Sequence, residues 1–162
     1  FSQLNLKRNK YHFSGKSYFE SEGDEEIDVQ KSLLESELFN LIRLSPDLIP
    51  NGAIEIIPSG FFTRLAHTKI GVKHANLTIK DSSPKSRILE INYTDIERNV
   101  TIEFSKEFPF EILQWEETYK SGFGKNAKLM TTSPVKKKTI LLDYWTKNHV
   151  TDSTYRSQLG LH

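Results

Sequence analysis

Cysteine is absent from the 162 residues. That excludes a disulfide framework and a thiolate metal site, and it fits an extracytoplasmic chain as well as a cytosolic one. Alanine is almost absent: only Ala53, Ala66, Ala75 and Ala127 occur. A mainly helical chain would use more of the best helix former. No apolar run approaches the roughly 18 residues of a spanning helix, so no transmembrane segment is read here. The net charge of +1 provides no bulk attraction to nucleic acid or membrane. Internal repeats and low-complexity tracts are missing as well.

The usual chemical signatures are equally scarce. The histidines at 12, 67, 74, 149 and 162 are scattered, with no HExxH or related pairing, so no metal site and no cofactor is expected. A GxSxG elbow would need glycine where Tyr119 stands before Ser121. The loop SGFGKN at 121–126 has Asn126 in place of the hydroxyl residue of a phosphate-binding loop, and a strand follows where a helix is required. A surface hairpin loop is the better reading. No catalytic residue is assigned.

What is present is alternation. Leu, Ile, Val and Phe make up 46 residues, about 28% of the chain, above the roughly 20% below which disorder is expected. Val100, Ile102 and Phe104 alternate with Asn99, Thr101, Glu103 and Ser105. That is the period of a half-buried strand. Leu89, Ile91 and Tyr93 alternate before it, and Phe108, Phe110 and Ile112 after it, giving three consecutive antiparallel strands. Leu113 and Trp115 then take the phase that Glu111 held, so a β-bulge is expected near 112–113.

Around this centre, residues 1–8 and 10–20 read as a hairpin turning at Asn9, with Leu4, Leu6, Tyr11, Phe13 and Tyr18 as core or edge positions. Strands are expected at 53–58, 60–70 and 72–80, with a turn at 81–84. A last hairpin is expected from 128–132 and 136–145, and a short C-terminal helix from Thr151 or Asp152 to Leu159 with Gly160 as its stop. One long helix is read over 24–44. Asp24 caps it, Glu25, Glu26 and Asp28 load its first turn, and Ile27, Leu34, Leu38, Leu41 and Ile42 share a face. Ser45-Pro46 ends it. The expected fold is α+β: a single domain made of a large curved antiparallel β-sheet or open half-barrel, with this helix packed on one face.

Charge is uneven. Eight acidic residues against Lys31 fill 20–37, and eight basic residues against Asp143 and Asp152 fill 120–156. The basic set, with Phe123, Tyr144 and Trp145 interleaved, is a candidate nucleic-acid track over 120–147. The plainer reading is a solvated hairpin whose Lys136, Lys137 and Lys138 guard an edge strand. Glu116 and Glu117 are adjacent on a strand and point to opposite faces, so they form no simple acid–base pair. Glu111 and Glu117 share a cavity only if the bulge allows it. NLT, NYT and NVT at 76, 92 and 99 match glycosylation sequons.

Several strings together carry a resemblance: QLNL (3–6), SYFESEGD (17–24), LIRLSP (41–46), IPSGFFTRLAH (57–67), FPFEILQWEETY (108–119), KTILLDYWTKN (138–148) and YRSQLGL (155–161). They resemble the C-terminal half of an uncharacterised bacterial envelope family, secreted or lipoprotein-like, some of whose members are labelled "septum formation inhibitor Maf". The resemblance implies an envelope location, periplasmic or surface-exposed, and an upstream half that carries any lipid anchor. A chain opening on Phe1 is read as such a piece. The label implies a nucleotide pyrophosphatase, whose S-x-S-P-R-R-type phosphate motif is nearest to SSPKSR at 82–87. That string falls in a turn between strands, and alternating strands argue against a parallel-sheet enzyme.

The leading expectation is therefore a non-catalytic extracytoplasmic domain that binds or scaffolds. A dry, fully packed core between sheet and helix is the plainer expectation; the candidate partners are an apolar small molecule held in a cavity there, or another envelope protein. Candidate ligand-binding residues are Trp115, Glu117, Lys125, Tyr144 and Trp145. A cavity smaller than about 300 Å³ between helix and sheet would end the ligand idea. The alternatives are the nucleotide pyrophosphatase and nucleic-acid binding through the basic hairpin.

Overall fold

The computed structural model describes residues 2–16, 23–122 and 124–161. Tyr18 and Phe123, named above, lie outside the described residues. The chain is α+β. Strands β1 (Ser2–Lys7), β2 (Lys10–Gly15) and β3 (Glu25–Gln30) form an antiparallel three-stranded sheet in that order. The turn of its first hairpin is Arg8-Asn9, as expected, although the left-handed φ falls on Arg8.

The larger sheet has seven strands. These are β4 (Leu33–Leu34), β5 (Gly52–Ile57), β6 (Lys73–Asp81), β7 (Ser86–Tyr93), β8 (Arg98–Ser105), β9 (Ile112–Ser121) and β10 (Lys128–Thr132). Their spatial order is their sequence order, an antiparallel meander from β5 to β10. The short β4 pairs parallel with β5, so the sheet is mixed, and it is not closed. Among the described residues there are three α-helices: α1 (Glu35–Leu44), α2 (Gly60–Leu65) and α3 (Thr154–Gln158).

The centre of the sheet follows the alternation in the sequence. Leu89, Ile91, Val100, Ile102 and Phe104 are buried on the inner face, against Leu38 and Ile42 of α1. Opposite Glu103 and Phe104 the register shifts from Gln114 to Ile112, so Leu113 is the extra residue of a bulge. The expected bulge is therefore present, and it turns Trp115, Glu117 and Tyr119 onto the inner face beside Ile102, Val100 and Arg98. Phe108 and Phe110 fall outside β9. They sit in the connection from β8, where Phe108 is exposed and Phe110 adopts a positive φ.

On the outer face, Asn76 pairs with Asn92 and Asn92 with Asn99. The three sequon asparagines thus stand in one row. Directly paired side chains have Cβ atoms only about 4.5–5.5 Å apart, so three glycans cannot stand there side by side.

Three expected elements are different. The helix over 24–44 is not formed as one element: 25–30 is strand β3 and only Glu35–Leu44 is helical. Ile27 and Val29 are β-branched and alternate, and they cover Phe13 and Ile57 in a second, smaller core. The acidic residues read as a first helical turn are cross-strand partners. Glu26 and Asp28 flank His12, at 2.9 and 3.0 Å, and Asp24 meets Lys16 at 2.9 Å. The 60–70 strand is also overturned. Gly60–Leu65 is helical because Ser59 caps it, its hydroxyl accepting the Phe61 N–H at 3.2 Å. The last hairpin does not exist either. β10 pairs with β9 over 117–121, Val135 then bridges to Gln114, and 136–145 forms no strand. Pro134 has no N–H to continue the β10 ladder, and Leu141 finds no apolar face and is fully exposed. The C-terminal helix is present as a 3₁₀ turn, Val150–Ser153, running into α3, and Gly160 follows with a positive φ.

A candidate ligand pocket between two helices and the sheet

The inner face is apolar along most of β7 to β9 but changes character at one end. There Arg98, the first residue of β8 and in its inward phase, is buried: its side chain is 2% exposed. A buried guanidinium must have its donors satisfied. Glu35, the first residue of α1, lies bidentate on it. Nη2 donates to Glu35 Oε1 at 2.7 Å, and Nη1 donates to Oε2. Nε donates to Glu117 Oε1 at 2.8 Å. The Tyr93 hydroxyl donates to Glu35 Oε2 at 2.5 Å.

Rings enclose the same cation. The guanidinium carbon is 4.3 Å from the centre of the Phe62 ring and 5.3 Å from that of Tyr93. Desolvation opposes the charge on Arg98, but the Glu35 hydrogen bonds and charge outweigh it and raise its pKa. Burial, then the Glu35 charge, pushes the Tyr93 phenol up. The cluster therefore holds a fixed guanidinium and a neutral phenol.

Above this cluster is a cavity of about 360 Å³. Phe39 of α1, Phe61, Phe62 and Leu65 of α2, and Trp115 and Tyr119 of β9 supply its apolar walls. Phe39 meets Trp115 edge to face at 6.5 Å, and Phe62 meets Tyr119 in the same way at 6.2 Å. Glu35, Arg98 and Glu117 make its polar floor. Phe61 and Leu65 are four residues apart on α2, and both are largely exposed at the mouth. The cavity exceeds the 300 Å³ set as the lower bound for the ligand idea. It is walled by α1 together with α2, the helix that sequence reading took for a strand.

Of the five residues singled out from sequence, Trp115 and Glu117 line this pocket and the other three do not. Lys125 is exposed in the 3₁₀ turn Gly124–Asn126, inside the β9–β10 hairpin loop. Tyr144 and Trp145 meet edge to face at 5.4 Å in the 3₁₀ turn Tyr144–Thr146 and are exposed. Glu111 is engaged by Lys136 at 2.6 Å and is not among the residues lining the Glu117 pocket. Sequence reading missed Arg98, Glu35, Phe62 and Tyr93. One signal was available: Arg98 sits in the phase of Val100, Ile102 and Phe104, where a charge needs a partner. That its partner would be Glu35 was not visible.

SSPKSR at 82–87 covers the turn between β6 and β7 and the first two residues of β7. The Ser82 and Ser86 hydroxyls both donate to Glu103 Oε1 at 2.7 Å. His74 contacts Asp95 at 3.3 Å. Compared with known protein families, curated proteins and solved structures, the chain matches none.

Proposed function

We propose that this chain is a non-catalytic binding domain of a bacterial envelope protein and that it takes a small apolar molecule in the pocket between α1, α2 and β8–β9. The observation that carries the ligand reading is the aromatic cavity itself. Its volume is about 360 Å³, it opens to solvent past Phe61 and Leu65, and it has charged groups at only one end. Apolar walls with a few convergent polar groups are the usual make-up of a small-molecule site. The non-catalytic part rests on the engagement of the charged groups: both oxygens of Glu35 accept from Arg98, and Glu117 is tied to the Arg98 Nε–H through one oxygen. The envelope location rests on the resemblance of the strings quoted above.

The pyrophosphatase reading has less to support it. A carboxylate, Glu103, already takes the hydroxyls of Ser82 and Ser86 in the string nearest to a phosphate motif. The nucleic-acid reading loses part of its charge to ion pairs of Lys120 with Glu97, Lys136 with Glu111 and Lys147 with Asp143.

The test is a titration with the neutral apolar dye Nile red in a Trp145→Phe background, where Trp115 is the only tryptophan. Saturable quenching of Trp115, weakened by Phe61→Ser at the exposed rim, is the expected result. A Trp115 signal that does not respond to the dye removes the ligand reading.

A further inference from the structure

The charges at the pocket floor do not cancel. Arg98 is the only basic residue among the described residues lining the cavity, and it faces two carboxylates. Glu35 takes both terminal nitrogens and lies almost wholly buried, its side chain 3% exposed. Glu117 takes only the Nε–H, through one oxygen, and its side chain keeps 17% exposure toward the cavity. Among the described residues nothing donates to its second oxygen. The floor therefore carries one formal negative charge in excess, on the residue that reaches the open space. The walls around it present the rings of Trp115, Tyr119 and Phe61.

This combination selects a ligand by charge. An anionic head group would meet Glu117 with no accessible cation to receive it, because Arg98 is only 2% exposed and three of its five N–H groups already donate to Glu35 and Glu117. A neutral molecule would leave the second Glu117 oxygen without a partner in a half-dry site, which carries a penalty. A cation answers both conditions. It meets the carboxylate, and ring faces attract it, most strongly when it is an alkylated ammonium that loses little hydration.

We propose that this pocket takes an apolar molecule bearing a cationic ammonium group, with the ammonium against Glu117 and among the rings of Trp115, Tyr119 and Phe61. The proposal rests on the ligand reading above and specifies the chemical class.

Two probes of nearly equal shape separate the two ideas: phenyltrimethylammonium and its uncharged analogue tert-butylbenzene, with benzoate as the anionic comparison. The full chain is titrated with each while the Trp115 indole N–H is followed by NMR, its resonance identified with Trp145→Phe. The ammonium is expected to bind about tenfold or more tighter than tert-butylbenzene, and benzoate not to shift Trp115. Glu117→Gln, whose amide oxygen still accepts from Arg98 Nε, is expected to bring the ammonium down to the neutral probe's affinity. If tert-butylbenzene binds as tightly as the ammonium or tighter, the charge selection is wrong while the apolar pocket stands. If no probe moves Trp115, both fall. Should Glu117→Gln not fold, the comparison of isosteric probes in the unaltered protein still decides.

Discussion

Arg98 and Glu35 are 63 residues apart in sequence and form a bidentate, nearly water-free ion pair that ties the first turn of α1 to the start of β8. The pair fixes the helix over the end of the sheet where the pocket opens.

A buried pair of this kind is costly to break on one side. Arg98→Met leaves Glu35 charged and without its main partner, and is expected to destabilise the fold by about 3–5 kcal/mol in urea denaturation. The double variant Arg98→Met with Glu35→Leu removes both charges and is expected to recover much of that loss. Equal destabilisation in the single and double variants would show that packing, not charge, dominates at this position.

Helix α1 buries Leu38 and Ile42 and leaves Leu44 largely in solvent. Leu38→Ala is expected to cost about 2–5 kcal/mol, because it removes a buried side chain from a packed core. Leu44→Ala should stay within about 0.5 kcal/mol. Comparable losses at the two sites would mean that α1 presents another face to the sheet.

Helix α2 is only six residues long, and the Ser59 hydroxyl caps it. Ser59→Ala is expected to lower stability by about 0.5–2 kcal/mol. It should also weaken Nile red binding, since α2 carries Phe61, Phe62 and Leu65 to the pocket. Lowered stability with unchanged dye affinity would separate the cap from the site.

Glu103 organises the β6–β7 turn. The Ser86 and Ser82 hydroxyls, and then the Gln114 amide at 2.6 Å, hold its pKa below the usual glutamate value. A carboxylate with a depressed folded pKa contributes stability that is fully present above its unfolded pKa of about 4.3 and is lost as pH falls through the folded value. Wild type is therefore expected to lose more stability than Glu103→Gln between about pH 5 and pH 3, measured by urea titration at each pH. Parallel pH profiles for the two proteins would rule Glu103 out as a contributor.

Local pattern carried far where side chains alternate against a single core. The strands around Leu89, Ile102 and Trp115, the bulge at Leu113 and the turn at Arg8-Asn9 were all legible, because each depends on period or on turn chemistry within a few residues. Pattern failed at 25–30. There Ile27 fits a helical stripe with Leu34 and Leu38 as well as it fits a strand alternating with Val29, and only the pairing of Ile27 with Phe13 and of Val29 with Tyr11 decided the matter. It failed again at 60–65, read as part of a strand over 60–70, where the cap at Ser59 starts a helix instead.

By itself, then, the sequence determined the meander at the heart of the large sheet, and it put Trp115 and Glu117 on one strand face. It also excluded disulfides and thiolate sites outright. The tertiary structure alone decided that Arg98 pairs with Glu35, that Phe62 covers the guanidinium, and that a cavity remains between α1, α2 and β9. The reason is physical. Alternation records which residues avoid water, a property of each strand alone. A buried charge and a cavity are properties of what several distant elements place around one point, and no local period encodes them.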